Sequence, residues 1–232
     1  MNMSFPLSTL MLVTDRSLCG GQDALVRACE AAVAGGVNAV QLREKDLPPE
    51  ELLPLARRLR AVTAGRALLS VNGPLDVALA CDADGVHLPE QAAMIERPAR
   101  PFLVGRSVHS LEAALRAEVE GVDYLIAGPV YETRSHPGMR PAGFPLLKEI
   151  SAVVGTPLIA IGGITSERLR RLAAMDIAGI AVTSAVLGGP SPRQDAHELR
   201  AVWDTVCGAT WKRRWQERGA FPLLVTRPKD QT

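Results

Sequence analysis

Aromatic side chains are scarce in this chain, and its few cysteines follow no ligand spacing. Phe, Trp and Tyr make up 4% of the 232 residues, so we expect a core built from Ala, Leu, Val and Ile. The four cysteines, Cys19, Cys29, Cys81 and Cys207, are scattered without a C-x-x-C pair. This distribution argues against a zinc site and against a disulfide framework.

Net charge and long apolar runs are lacking as well. The formal charge of +1 gives no general attraction to nucleic acid or to a membrane surface. No apolar run reaches the roughly 20 residues of a membrane span, and Met1–Leu10 lacks the charged start and apolar centre of a signal peptide. We therefore expect a soluble cytoplasmic protein with neither nucleic acid nor membrane as partner, and we leave a homo-oligomer open.

The chain does contain a regular alternation of short apolar runs and longer amphipathic segments. The predicted strands are Leu10–Thr14, Val37–Leu42, Ala67–Val71, Gly85–Leu88, Phe102–Gly105, Val122–Ala127, Leu158–Ile161 and the start of Gly179–Ala185. Eight strand–helix units without a break in composition predict a single (β/α)8 TIM barrel over residues 1–207, with a doubly wound sheet as the alternative. Residues 208–232 are predicted as a basic C-terminal extension, helical or disordered.

Individual residues indicate where the predicted helices begin and which side they bury. Asp23 and Ser110 are expected to cap the helices that follow strands one and five. Leu111, Ala114, Leu115 and Val119 are expected on the inner side of the helix after strand five. Pro54 lies within the helix after strand two, where it costs a hydrogen bond unless that helix begins late.

Two turns near the end of the chain have the composition of a phosphate site. Gly162 and Gly163 follow strand seven, and glycines leave room for an anion against backbone N–H groups. Thr165 or Ser166 can then cap a helix whose first amides point to that anion. One unit later, Thr183 and Ser184 follow strand eight with two hydroxyl groups. Because loops after strands seven and eight of such barrels often bind phosphate, we expect the same here.

Further polar residues follow the other predicted strands, at the barrel end that holds active sites. They are Gln41, Arg43 and Lys45, then Asn72, His87, Ser107 and His109, and finally Thr133, Arg134, Ser135 and His136. Arg43 and Lys45 occupy alternate positions, so both are expected to point to the same side. Many cations, amides and hydroxyls with few carboxylates predict a site for a phosphorylated or pyrophosphorylated small molecule.

Several segments together resemble one enzyme superfamily, that of thiamine-phosphate synthase and thiazole tautomerase. They are VQLREK (Val40–Lys45), VNGPLDVAL (Val71–Leu79), GVHLPE, GRSVHSLEAA (Gly105–Ala114), DYLIAGPVYET (Asp123–Thr133) and LIAIGGIT. The resemblance extends over roughly Leu10–Val206 with the motifs in register. It implies a barrel enzyme of thiamine biosynthesis that acts on thiazole phosphate.

The resemblance also implies roles for single residues. In a synthase, Arg43, Lys45 and Asn72 would face the pyrimidine pyrophosphate. The residues that would handle the thiazole phosphate or the departing pyrophosphate are Thr133, Ser135, Gly163, Thr183 and Ser184. Gln41, Ser107 and Gly162 complete the predicted substrate-binding set.

Two departures from the synthase pattern concern Mg²⁺. Synthases of this type hold the ion with two aspartates, and those positions are Gly73 and Ala92 here. Since Mg²⁺ needs carboxylate oxygens to share the charge of a leaving pyrophosphate, no metal site is predicted. The loop lysine that synthases carry after Thr-x-Thr is His136 here.

The tautomerase (TenI-like) branch is therefore the preferred interpretation, with GRSVHSLE and the Glu-Thr after strand six resembling it. The histidine that the related tautomerase uses for proton transfer is Pro129 here, so His136 and His109 become the candidate catalytic residues, with Glu132 weaker. This hypothesis is a cofactor-independent isomerase that shifts a proton on carboxythiazole phosphate. The alternatives are a divergent, Mg²⁺-dependent thiamine-phosphate synthase and a non-catalytic binder of thiazole or thiamine phosphate.

Overall fold

Eight parallel strands close into a barrel in the computed structural model, which describes residues 5, 8–133, 141, 143–172 and 175–207. The strands are β1 (Thr9–Val13), β2 (Ala39–Leu42), β3 (Leu68–Val71), β4 (Gly85–Leu88), β5 (Leu103–Val108), β6 (Tyr124–Ala127), β7 (Leu158–Ile161) and β8 (Gly179–Val182). Each pairs with its sequence neighbours, and β8 pairs with β1. The predicted TIM barrel is confirmed, and the doubly wound sheet is wrong because closure leaves no sheet edge.

The helices surround the barrel. They are α1 (Gln22–Ala34), α2 (Pro49–Thr63), α3 (Leu75–Ala80), α4 (Leu111–Val119), α5 (Gly143–Val153), α6 (Ser166–Leu169), α7 (Ser184–Leu187) and α8 (Pro192–Cys207). Within the described ranges, no helix is long and apolar enough to cross a membrane. The predicted extension over residues 208–232 lies outside the described residues.

The connection from β4 to β5 is the unit that departs from the predicted repeat, because residues 89–102 form no helix. Arginine side chains hold this segment instead. Arg97 Nη1 donates to Phe102 O at 3.0 Å and to Asp123 Oδ2 at 2.8 Å. Arg100 Nη2 donates to Ala83 O at 2.8 Å. The expectation of eight strand–helix units is thus wrong for the fourth unit, where arginine contacts to backbone carbonyls replace helical hydrogen bonds.

Polar residues before three strands explain why some predicted strands begin too early. Their side-chain oxygens accept the backbone N–H of the preceding strand: Leu10 N to Asn38 Oδ1 at 2.8 Å, Leu69 N to Asp84 Oδ2 at 2.8 Å, and Val104 N to Asp123 Oδ2 at 2.6 Å. Strands β2 and β6 accordingly begin after Asn38 and Asp123. Strand β5 extends to Val108, beyond its predicted end.

Helix α4 shows one correct and one wrong prediction. Ser110 caps it as expected, because its hydroxyl accepts the Ala113 N–H at 3.1 Å. Leu115 and Val119, expected inside, are 41% and 89% exposed. Ala114 is buried as expected, and Ala113 and Ala117 are buried with it, since small side chains allow the helix axis to approach the barrel closely.

Helices α1 and α2 also differ from expectation at single residues. Helix α1 begins at Gln22 with Gly21 as its N-cap, so Asp23 lies in the first turn and the predicted Asp23 cap is wrong. Helix α2 begins early, at Pro49, and includes Pro54 as an interior residue. Pro54 is exposed, so water can reach the Glu50 carbonyl that has no amide partner there.

The barrel interior is filled at the amino-terminal end of the strands by Phe5 and Tyr124. Their rings stack with centroids 4.2 Å apart. A Cβ at Gly105 would overlap the Tyr124 ring, so glycine on β5 makes the space for this residue on β6. Above this layer the interior becomes polar, and the candidate site begins there.

Candidate functional site

Arg43 and Lys45 form an uncompensated pair of cations just beyond the carboxyl end of β2. Neither side chain has a hydrogen-bond or ion-pair partner among the described residues. The charge of Arg43 lowers the pKa of Lys45, and partial burial lowers it further. Two like charges held this closely favour the binding of an anion between them.

Glu44, which lies between these cations in sequence, is directed elsewhere. It is 5% exposed, and its carboxylate accepts the Arg16 backbone N–H at 3.2 Å and Arg16 Nη1 at 3.0 Å. Arg16 also pairs with Asp46 at 2.7 Å, and that contact lowers the pKa of Asp46 to about 2. Both nearby carboxylates are therefore engaged by Arg16, and neither neutralises Arg43 or Lys45.

A network of uncharged polar side chains lies inside the barrel below this end. Tyr124 Oη and Ser70 Oγ are 3.1 Å apart, and both residues are buried. Burial raises the pKa of Tyr124, while hydrogen bonds with Ser70 and Gln41 act in the opposite direction. Gln41 is itself 2% exposed, and its Nε2 lies 3.9 Å from Met11 Sδ. Sequence reasoning missed Tyr124, because its role depends on contacts with distant strands.

His87 extends this network towards the mouth. Its Nε2 lies 2.9 Å from Ser107 Oγ, on the adjacent strand β5. Burial lowers the pKa of His87 to about 3, and the charges of Arg43 and Arg106 add to that effect. The ring is therefore neutral at physiological pH. Its buried Nδ1 has no hydrogen-bond partner within the described part of the chain.

Asn72 follows β3 at the same end of the barrel. Its backbone N–H donates to Leu42 O at 2.8 Å, which fixes the residue beside the end of β2. The side chain is half-buried. Gly73 comes next, and a Cβ there would lie 3.2 Å from Leu52 Cδ2, a distance that a small shift of Leu52 would relieve. Asn72 is thus placed near Arg43 through their neighbouring strands.

The glycine turn after β7 is packed against the loop that follows β6. Gly162 and Gly163 have φ values of 105° and 62°, which favour glycine. A Cβ at Gly162 would lie 2.6 Å from Pro129 Cβ, and one at Gly163 would lie 2.6 Å from Glu132 O. These glycines are therefore required for loop packing in addition to any role towards an anion.

The residues after this turn and after β8 lie side by side, because Ile161 on β7 pairs with Ala181 on β8. Of the two predicted caps, it is Thr165 that accepts the Arg168 N–H, at 3.4 Å. Thr183 is half-buried and Ser184 is exposed, and neither hydroxyl has a hydrogen-bond partner among the described residues. The helices α6 and α7 contain only four residues each, so the predicted phosphate contacts would have to come from the hydroxyls and loop amides.

His109 is held by a carboxylate that sequence reasoning missed. Glu90 Oε2 accepts the His109 backbone N–H at 2.6 Å and lies 2.9 Å from His109 Nδ1. The His109 side chain is 52% exposed. Glu90 follows β4 whereas His109 follows β5, and no spacing in the sequence indicates this contact. Thr133 lies at the edge of the described part of the chain, and Ser135 and His136 lie outside it.

The residues present do not fit Mg²⁺. Gly73 and Ala92 supply no carboxylate, and the Ala92 carbonyl accepts Arg106 Nη1 at 2.9 Å. Asp76 Oδ1 accepts the Val77 N–H at 2.9 Å, and Glu90 is committed to His109. Across the described ranges, no group of three or more His, Cys, Asp or Glu side chains could hold a metal ion.

Comparison with known proteins gives a consistent result. The family model described as Thiamine monophosphate synthase (TMP-TENI) matches residues 10–186. The chain is 40% identical to a thiamine-phosphate synthase of Methanoregula boonei, covering 82% of this chain and 91% of that protein. It is 39% identical to the thiamine-phosphate synthase of Pyrococcus furiosus, covering 86% and 96%. A solved thiamine phosphate pyrophosphorylase from Pyrococcus furiosus superposes with a TM-score of 0.75 at 37% identity, covering 85% and 96%.

These findings correct the interpretation of the chain as an isomerase. Relatives at 36–44% identity over most of the chain are named for synthase activity, which is a transferase reaction. The predicted thiazole tautomerase is therefore wrong. That prediction depended on the resemblance of GRSVHSLE and Glu-Thr to the tautomerase branch and on the residues at positions 73 and 92, which report on metal binding rather than on the class of reaction.

Proposed function

The chain belongs to the thiamine monophosphate synthase (TMP-TENI) family, and from that premise we propose that it is a transferase of the thiamine-phosphate synthase type. Its substrates would be hydroxymethylpyrimidine pyrophosphate and thiazole phosphate. The observation that carries this proposal is the pair Arg43 and Lys45, which no described carboxylate compensates. Two cations suit the binding of a pyrophosphate group, whereas a proton shift on a monophosphate does not require them.

The proposed reaction needs charge stabilisation more than proton transfer. The carbon–oxygen bond between the pyrimidine methylene group and the pyrophosphate breaks, and the departing pyrophosphate keeps the electron pair. The thiazole ring nitrogen supplies the electron pair for the new carbon–nitrogen bond, and the products are thiamine phosphate and pyrophosphate. Cationic side chains aimed at the departing pyrophosphate stabilise the charge that develops there.

The rest of the site suits the two heterocyclic substrates. Gln41, Ser107 and the neutral ring of His87 offer hydrogen bonds without charge, as an uncharged pyrimidine requires. The glycine turn, Thr183 and Ser184 would hold the thiazole phosphate on the other side of the mouth. The phosphate contacts predicted for Thr133 and Ser135, the catalytic roles predicted for His109 and His136, a cytoplasmic location and homo-oligomerisation stay predictions.

A coupling assay with the full chain tests the proposal. We expect thiamine phosphate to form from the two substrates, measured by chromatography, and we expect Arg43→Gln to lower kcat/KM by at least about tenfold. The matched control is Arg57→Gln, an exposed position on α2. Equal rates in these two variants would contradict the role of Arg43.

A non-catalytic binder of thiazole phosphate or thiamine phosphate is the second candidate. It is favoured by the loss of carboxylates at positions 73 and 92. Titration calorimetry that shows binding of both substrates, together with no product with or without Mg²⁺, would select this candidate over the transferase.

A further inference from the structure

We propose that this site takes its pyrophosphate ligand as the metal-free anion, with Arg43 and Lys45 supplying the positive charge that a divalent cation supplies in other enzymes. The proposal rests on the proposed function for the identity of the substrate. It also applies to inorganic pyrophosphate, which is the product of the reaction, and so it can be tested without turnover.

Three carboxylates near the carboxyl ends of β2 and β4 already hold partners in the described part of the chain. Glu44 accepts two N–H groups of Arg16, and Asp46 pairs with the same guanidinium. Glu90 binds His109 through its backbone N–H and its ring. A divalent cation would therefore have to displace existing contacts to obtain oxygen ligands from these side chains.

A buried cation also holds the segment in which the resemblance places one of the metal ligands. Arg106 is 5% exposed, and its Nη1 donates to Glu90 O at 3.2 Å and to Ala92 O at 2.9 Å. Its Nη2 lies 3.0 Å from Glu120 Oε2, on a side chain that is 36% exposed. A guanidinium thus fixes this segment, and its carbonyls are engaged before any metal arrives.

The charges of Arg43 and Lys45 determine whether free pyrophosphate or its Mg²⁺ complex binds more tightly. Arg43 and Lys45 repel each other, and a bound anion relieves that repulsion. Coulomb attraction scales with the charge of the ligand, so pyrophosphate complexed with Mg²⁺ carries less negative charge to the pair than free pyrophosphate does. The free anion is therefore the preferred form.

Titration calorimetry with inorganic pyrophosphate separates the two possibilities. The full chain is titrated in EDTA and again with excess MgCl₂ at the same ionic strength. We expect binding in EDTA to be as tight as with Mg²⁺ or tighter. We expect Arg43→Gln and Lys45→Gln each to weaken it by about tenfold, because each loses a charge-assisted contact. Arg57→Gln is again the control, and circular dichroism confirms that each variant is folded.

The outcomes distinguish this inference from the proposed function. Binding at least about tenfold tighter with Mg²⁺ than in EDTA would overturn the inference, because a metal would then be supplying the charge. Coupling of the substrates that stops in EDTA and returns with Mg²⁺ would overturn it while leaving the transferase assignment intact. Metal-free pyrophosphate binding that depends on Arg43 and Lys45, without coupling, would support the inference and contradict the transferase.

Discussion

The neutral, buried ring of His87 predicts a specific loss of stability in acid. Burial holds its pKa at about 3 in the folded protein, whereas an unfolded chain gives histidine a pKa of about 6.5. As the pH falls below the unfolded value, the unfolded chain takes up a proton that the folded protein does not accept. The free energy of unfolding therefore falls as the pH is lowered from about 6.5 towards 3.

The size of this effect follows from the separation of the two pKa values. Each pH unit in that window removes about 1.4 kcal/mol for one proton. Between about pH 7.5 and pH 4.5, His87 alone should therefore remove about 2–3 kcal/mol. Such a loss is a large part of the total stability of a typical domain, about 5–15 kcal/mol.

Urea denaturation of wild type and His87→Gln at both pH values measures the effect. Carboxylates titrate in both proteins, so the quantity compared is the change in the free energy of unfolding between the two pH values. We expect this change to be about 2–3 kcal/mol smaller in the variant. His197→Gln, at an exposed position on α8, should behave as wild type. An identical pH dependence in wild type and His87→Gln would refute the reasoning.

Two further predictions concern stability and use urea denaturation as well. Pro54→Ala should raise the free energy of unfolding by about 1–3 kcal/mol, because a helical hydrogen bond is restored. Pro49→Ala, at the helix start, should change it by less than about 0.5 kcal/mol. Similar effects of the two substitutions would contradict this explanation. Tyr124→Phe and Ser70→Ala should each cost about 1–2 kcal/mol, and the double variant should cost about 1 kcal/mol less than their sum. Strict additivity would show that the 3.1 Å contact contributes nothing to stability.

The barrel itself could be predicted because its determinants are local. Apolar runs and amphipathic segments follow one another along the chain, and parallel strands need such crossovers. The missing helix after β4 could not be predicted with the same ease, because the structure there depends on Arg97 reaching the Gly121 carbonyl and on Arg100 reaching the Ala83 carbonyl. The predicted buried face of α4 was right at Ala114 but wrong at Leu115 and Val119, for a similar reason. Ala113 and Ala117 are buried because the helix lies close to the barrel. The hydrophobicity of Leu115 contains no information about that distance.

The candidate site also contains features with local sequence signals and features that depend on contacts between distant segments. Arg43 and Lys45 could be predicted to converge, because alternate residues at a strand end point to one side, and Glu44 turns away as that rule requires. The contact between Glu90 and His109 joins two loops and has no local signal. The glycine turn was predicted from the room that glycine leaves for an anion, which stays a prediction. Its positive φ values and its packing against Pro129 become visible only when both loops are placed.

The wrong isomerase prediction has a physical explanation of its own. Gly73 and Ala92 remove metal ligands, and that observation was extended to the reaction as a whole. A transferase with a pyrophosphate leaving group requires positive charge at the departing oxygens, and the source of that charge is a separate matter. Guanidinium and ammonium groups can provide it, and no carboxylate of the described residues compensates Arg43 or Lys45. The missing Mg²⁺ ligands therefore indicate that cationic side chains replace the metal ion in the same transferase reaction. They do not by themselves indicate a different reaction.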